Sequence, residues 1–209
     1  MIKFYPNHPD NMHCSQAVFR SLFKYFFDEE LSWEEIDKIT KTIPGRGSWT
    51  MAAYIEMVDR GLEVVNIEAF DYQKFYDEGV SYLKKIYSNK AIEYTLNKSN
   101  LLYVKDDIPE FLEKVKRIKR RAKVADIDNL LDKEYLVGTV LNSRVLNNKE
   151  GFSLHYVLII SKENDKYVIN DPGLPPRENR VVTKKQLLKA FNASGGGGEV
   201  TGFKKKGTK

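Results

Sequence analysis

Leu154-His-Tyr-Val-Leu-Ile-Ile-Ser161 and Lys166-Tyr-Val-Ile-Asn-Asp-Pro172 are two short apolar runs rich in Val, Ile and Tyr. The polar cluster Lys162-Glu-Asn-Asp165 stands between them, so the pair reads as a β-hairpin. His155 opens the first strand and Asp171 closes the second. Antiparallel pairing brings those ends together, and a histidine oriented by a carboxylate is two-thirds of a nucleophilic triad. The remaining third is a nucleophile. The chain holds one cysteine, Cys14, at the start of an amphipathic helix pattern near the N-terminus.

Upstream of the hairpin, Pro6 and Pro9 exclude a regular helix, so residues 1–14 read as an extended entry segment. From Ser15 onward, Phe19, Leu22, Phe23, Phe26 and Phe27 recur on one helix face. Cys14 therefore falls at or just before the first turn, where unpaired backbone N–H groups favour a thiolate. Ser32 with Glu35 forms a capping box, and Leu31 with Ile36 a hydrophobic staple. The break Pro44-Gly-Arg-Gly47 precedes Ser48, expected to cap a helix through Met51, Tyr54, Ile55 and Val58 that stops at Gly61. Leu62–Ile67 reads as a strand. Asp71 caps a helical stretch carrying Phe75, Leu83, Ile86 and Tyr87, interrupted at Gly79. A helical or irregular segment to Asn97 and an apolar piece at Leu101–Val104 follow. Pro109 opens a helix expected to run through Phe111, Leu112, Val115 and Ile118.

Tyr135–Leu141 is a strand, and the loop Asn142–Phe152 leads into the hairpin. Beyond the hairpin comes a short run at Arg180–Val182, and Thr183 with Gln186 caps a helix to Phe191. Gly195–Gly198 is flexible on composition, and Val200–Lys205 reads as an edge strand or a basic tail. Helices come first and the sheet last. That segregation is α+β, a helical half (about 14–134) packed on an antiparallel sheet (about 135–192). Residues 1–192 form the expected domain, with 193–209 as tail or edge.

A chain of 209 residues can bury a sizeable core, and with 42% hydrophobic against 30% charged residues it is expected to fold rather than stay disordered. No apolar run approaches the ~20 residues of a membrane helix. Met1-Ile-Lys-Phe-Tyr-Pro6 leads into polar sequence without a signal-peptide core, and one cysteine cannot form an internal disulfide; a cytoplasmic protein is expected. The net charge of +5 favours anionic partners without speaking to fold. Lys114–Lys123 is the densest basic run. It reads first as a solvated helix face with Val115 and Ile118 turned inward, and second as an anionic-partner patch. No nucleic-acid motif accompanies it, so a nucleic-acid partner is set aside. His8, His13 and Cys14 can be read as metal ligands, but a site needs three or four ligands and no second cluster is visible; neither metal nor cofactor is expected.

Each candidate has an ordinary explanation. A lone cysteine is usually a small buried hydrophobe, a strand histidine is usually a core residue, and Asn-Asp-Pro-Gly is ordinary turn chemistry. The combination carries the weight: a thiol at a helix start, a base on one strand and an acid ending the next. The separation from residue 14 to residue 155 also falls in the ~130–150 residue range of papain-like enzymes.

Cys14-Ser-Gln-Ala17 followed by a helix, His155-Tyr-Val-Leu-Ile-Ile160, Tyr167-Val-Ile-Asn-Asp-Pro172 and the closing Thr183-Lys-Lys-Gln-Leu-Leu188 helix resemble the C39-like cysteine peptidases of the papain-like superfamily. The resemblance runs from about Phe4 to Phe191 and is strongest over His155–Phe191. It implies a papain-like fold with Cys14 as nucleophile, His155 as base and Asp171 as the residue orienting it. The family's glutamine before the cysteine is absent from Met1–His13, and Ser15 replaces its glycine. Asn7 is the expected substitute in the oxyanion hole, ahead of His8, Asn11 or His13. The resemblance implies a cysteine hydrolase acting on a peptide or small amide through an acyl-enzyme. The alternatives are an acyltransferase on the same triad and a catalytically weak or inactive binding module. Domains of this family in bacteriocin exporters are fused to membrane transporters, a role the expected absence of a membrane segment sets aside. Oligomeric state is not legible.

Overall fold

In a computed structural model that describes residues 2–195 and 198–207, the N-terminal helices lie against one face of a mixed sheet. Helix α1 (Cys14–Phe27) buries Phe19, Leu22 and Phe23, the stripe its spacing predicts. Helix α2 (Trp33–Ile39) starts with the reciprocal Ser32–Glu35 capping box, and Leu31 and Ile36 are both buried beside it. Helix α3 (Met51–Asp59) starts from Thr50 rather than from Ser48. The Ser48 hydroxyl instead accepts from Gln16 Nε2 at 2.8 Å, a partner its local sequence could not announce. After strand β1 (Leu62–Glu68), Asp71 caps α4 (Tyr72–Glu78) by accepting from the Lys74 N–H. Gly79, at φ 57°, divides it from α5 (Val80–Ile86). Helix α6 (Asn89–Lys98) and turns through Leu101–Val104 lead to α7 (Ile108–Lys114), which carries Pro109 in its first turn.

The basic run departs from the expectation. Helix α7 ends at Lys114, Val115 turns extended, and Lys116–Lys119 forms strand β2, parallel to β1 at the sheet edge. Val115 is buried as expected, but Ile118 is 37% exposed rather than turned inward. Lysines suit this position because charge on an edge strand opposes pairing with another chain. The cations are also largely spent at home: Lys114 pairs with Asp59 and Glu110, Lys119 with Asp71, and Arg120 with Asp126. Arg117 turns inward to Asn66 and the carbonyls of Glu68 and Phe70.

Helix α8 (Val124–Leu131), strand β3 (Leu136–Asn142) and the short α9 (Ser143–Leu146), capped by Asn142, precede the hairpin. The hairpin pairs β4 (Leu154–Glu163) with β5 (Lys166–Asp171), register Glu163 to Lys166, and turns through Asn164 at φ 52°. Strand β6 (Arg177–Thr183) pairs with β5, the Thr183–Gln186 capping box starts α10 (Lys184–Asn192), and β7 (Val200–Lys205) ends the fold. Among the described residues the sheet has seven strands in the order β2-β1-β7-β3-β4-β5-β6. So β7, expected as an edge strand or tail, is interior, antiparallel to both β1 and β3. Its Val200, Thr201 and Phe203 are fully buried. The sheet therefore takes strands from the helical half and from beyond residue 192, and only β1–β2 is parallel. Of the glycine run expected to be flexible, Gly196 and Gly197 lie outside the described residues.

Alternation along the strands splits the core in two. Val64, Tyr156, Leu158 and Phe203 face α1 and the other N-terminal helices, whereas Val65, Val157, Ile159 and Val200 face α8, α9 and α10. Strands covered on both faces read as continuous apolar runs, which explains the unbroken Tyr156–Ile160 stretch. Gly138 on β3 is required by this packing: a Cβ there would stand 2.1 Å from the Tyr156 hydroxyl. Gly138→Ala is expected to lower the unfolding free energy by ~1–3 kcal/mol through overpacking. A urea midpoint equal to that of the parent chain would contradict this.

Behind Tyr156 lies a polar interior. The Tyr54 and Tyr156 hydroxyls are 2.9 Å apart, and Tyr54 donates to Glu199 Oε1 at 2.5 Å. Burial first, and then the charge of Glu199, push the Glu68 carboxyl up to about 8, against the pull of Arg117. The folded chain thus holds this proton more tightly than the unfolded chain, whose ordinary value is 4.5. The resulting stabilisation is present below that ordinary value and is lost as pH rises through about 8. Glu68→Gln is expected to raise Tm over the parent at pH 8 and to leave it nearly unchanged at pH 5. An equal shift at both pH values would sink the assignment.

Candidate active site

Cys14 is the first residue of α1, and that helix has no acidic side chain in its first turn to offset the positive end of its dipole. Its N-cap, His13, makes no side-chain capping bond, so the backbone N–H groups there are available to a thiolate. The Tyr156 N–H donates to Cys14 Sγ at 3.4 Å, joining the helix start to β4 one residue beyond His155. The thiol is only partly exposed.

His155 and Asp171 are both buried, and His155 Nε2 lies 2.7 Å from Asp171 Oδ1. That contact commits Nε2, leaving Nδ1 as the nitrogen that can exchange a proton with the thiol, and His155 directly precedes Tyr156, whose N–H meets the sulfur. The register between β5 and β6 shifts between Ile169 and Asp171, an irregularity of the kind that re-aims a side chain at a strand end. Asp171 is held from three sides. Oδ1 accepts from His155 and from the Gly173 N–H at 3.1 Å, and Oδ2 accepts from Arg180 Nη1 at 2.7 Å. Arg180 Nη2 donates to the Leu146 carbonyl at 2.8 Å, tying β6 to the end of α9. Gly173 packs tightly: a Cβ there would stand 3.0 Å from Asp171 Oδ1 and 3.3 Å from His155 Nε2.

The charges reinforce one another. Burial alone would raise the Asp171 carboxyl, but His155, Arg180 and the Gly173 N–H outweigh it and hold the group at about 2. Burial would lower the His155 ring, yet Asp171 and the Cys14 sulfur raise it to about 10. Burial pushes the Cys14 thiol up, and the hydrogen bond and charge of His155, with the N–H groups of Tyr156 and Ser15, bring it below its ordinary value. The arrangement favours a thiolate–imidazolium pair.

The residues considered for the oxyanion hole gather just ahead of the thiol. Asn7 is buried, and its N–H donates to the Pro172 carbonyl at 2.8 Å, fastening the entry segment to the loop after Asp171. Its Oδ1 accepts from the His13 N–H at 2.9 Å and its Nδ2 donates to Asn11 Oδ1 at 3.2 Å. Among the described residues that leaves one amide hydrogen of Asn7 uncommitted. The His13 ring is engaged by Asp10 and Asp37, and the His8 ring packs against His13 and Trp33.

Arg180, Gly173 and the Tyr156 N–H escaped the sequence reading. Arg180 sits among alternating polar residues on an edge strand, where a charge reads as solvated. Gln16, two residues beyond Cys14, is fully buried, donating to Thr42 and Ser48, and nothing in the local pattern marks it.

No protein-family model matches the sequence, and no curated protein does. Among solved structures, the chain is similar to the peptidase domain of Streptococcus ComA, described as a bifunctional ABC transporter involved in a quorum-sensing pathway. That likeness has TM-score 0.51 at 13% identity and covers 99% of this chain and 100% of that one. Identity this low speaks to the fold alone: mixed α+β, the papain-like fold of a C39 peptidase domain. No helix among the described residues is long and apolar enough to cross a membrane.

Proposed function

We propose that the chain is a cysteine-dependent hydrolase of the peptidase or amidase class, with Cys14 as nucleophile, His155 as base and Asp171 as the residue orienting it. One observation carries the reading: a buried imidazole hydrogen-bonded at 2.7 Å to a buried carboxylate, on the strand whose next residue, Tyr156, donates its N–H to the Cys14 sulfur at the start of α1. His155 takes the thiol proton, and the sulfur attacks the acyl carbon of a peptide or small amide. The C–S bond forms as the carbonyl pair moves to oxygen, where the helix-start N–H and a side-chain amide, Asn7 being the candidate, receive the negative charge. Collapse expels the amine, which takes the proton from His155. Water, deprotonated by the same ring, then cleaves the thioester. In this reading the catalytic unit includes β7, because that strand joins β1 to β3.

The test uses p-nitrophenyl acetate and mass spectrometry of the quenched protein. A single acetyl group mapped to Cys14, and lost in Cys14→Ala, is the expected result. No adduct, or an adduct that forms equally fast in His155→Ala, would overturn the triad. Turnover of the adduct by water supports the hydrolase. Turnover only on addition of an amine or thiol would replace it with an acyltransferase.

A further inference from the structure

The entry segment His8-Pro-Asp-Asn-Met-His13 makes a tight turn, with the Asn11 N–H donating to the His8 carbonyl at 2.9 Å and Asn11 at φ 61°. The turn brings three donors together that the linear sequence spaces apart. Asp10 Oδ1 lies 3.2 Å from His8 Nδ1 and 2.9 Å from His13 Nδ1, and one ligand atom from each residue lies within 4.8 Å of the others. Bonds of ~2.0–2.1 Å to one tetrahedral ion place its donors about 3.3 Å apart, so both short edges already approach coordination spacing.

A second feature is independent of that spacing. His13 Nε2, on the far side of the ring, is 3.3 Å from the Asp37 carboxylate on α2. A carboxylate on the outer nitrogen is how a metal-ligating histidine is held in its tautomer and orientation. One oxygen of Asp37 is buried without a hydrogen-bond partner among the described residues. The rings are further fixed by packing, His13 at 5.5 Å and His8 at 5.4 Å from Trp33. The two sides of the cluster differ in access. The His13 side chain is 8% exposed, whereas those of His8 and Asp10 are 39% and 38% exposed, leaving an open face for an ion and a solvent ligand.

We propose that His8, Asp10 and His13 form a binding site for a divalent transition-metal ion of the zinc class, with Asp37 supporting His13 from behind. Two imidazoles and one carboxylate suit zinc, cobalt or nickel rather than calcium or magnesium, which take all-oxygen shells. Cys14 follows His13 directly but is turned to His155 and the Tyr156 N–H, so it is outside the donor set. The plain alternative is a turn in which Asp10 accepts from the Met12 N–H at 2.9 Å and the two imidazoles merely hydrogen-bond to it. That alternative binds no ion.

The experiment is calorimetric titration of the full chain with zinc, in a Cys14→Ala background so that the thiol cannot capture the metal. Cobalt absorption serves as a second readout. Saturable binding of one ion per chain is expected, weakened at least ~10-fold by His8→Ala and by Asp10→Ala, whose exposed side chains can be removed without opening the core. Asp37→Asn is expected to cost ~10–100-fold as an outer-shell change. Matching thermal melts of the zinc-free variants exclude misfolding as the cause of lost binding. The absence of a saturable isotherm, equal affinity in Asp10→Ala, or binding seen only when Cys14 is present would overturn the site.

Discussion

His155→Ala is expected to slow acylation of Cys14 by about 10²–10⁴-fold, the usual contribution of a positioned general base. Two effects of the imidazole combine in that loss. Its charge lowers the thiol, which burial alone would raise, and its imidazolium proton assists the departing group as the acyl-enzyme forms. Once the ring is gone, the Tyr156 N–H and the helix-start N–H groups still face the sulfur, so a residual rate should remain. Alkylation by iodoacetamide isolates the first effect, because it needs a thiolate but no oxyanion hole. The variant should alkylate more slowly than the parent near neutral pH, and its acylation should fall further than its alkylation. Equal losses in the two assays would mean that His155 serves only to ionise the thiol. No loss in either would remove it from the site.

Arg180→Ala is expected to destabilise the fold by ~3–5 kcal/mol and to depress acylation as well, the cost of breaking a buried ion pair from one side. The Arg180 and Asp171 side chains are 11% and 4% exposed, so water cannot replace the guanidinium at Asp171 Oδ2. Asp171 would be left with His155 and the Gly173 N–H, and its carboxylate would be less firmly held ionised. Arg180 touches no reacting atom. It acts through Asp171, as a positioning residue, and the readouts should reflect that. Arg180→Lys should retain charge but not the two-pronged link to Asp171 and the Leu146 carbonyl, and so recover only part of the stability. In a double-mutant cycle with Asp171→Ala, the two stability losses should fall well short of adding. Additive losses would show that Arg180 works elsewhere.

Gly138 and Glu68 test the frame behind these residues rather than the chemistry. Gly138 reports on the packing of Tyr156, whose N–H meets the thiol, and Glu68 on the polar interior around Glu199.

Much of the architecture was legible in short stretches of chain, for a physical reason. Helix periodicity, capping boxes and a hairpin turn are local properties, decided within a few residues of backbone and side chain. The phenylalanine stripe of α1, the boxes at Ser32 and Thr183, and the β4–β5 pair therefore stand where the sequence indicates them. The hairpin also brought the strand ends carrying His155 and Asp171 together, and the irregularity beside Asp171 completes the contact.

What needed the tertiary structure was everything settled by partners far away in sequence. Lys116–Lys119 continues a helical pattern locally, yet pairing with β1 makes it an edge strand. Val200–Lys205 carries the lysines of a tail, yet it fills the sheet interior because β1 and β3 offer it two ladders and a two-sided core. Nothing in the local pattern marks Arg180 or Asp37, and only folding gave them Asp171 and His13. Periodicity records which face of an element is buried; it carries no record of which strand lies beside it or which charge it meets, because those depend on contacts between segments with no local signature.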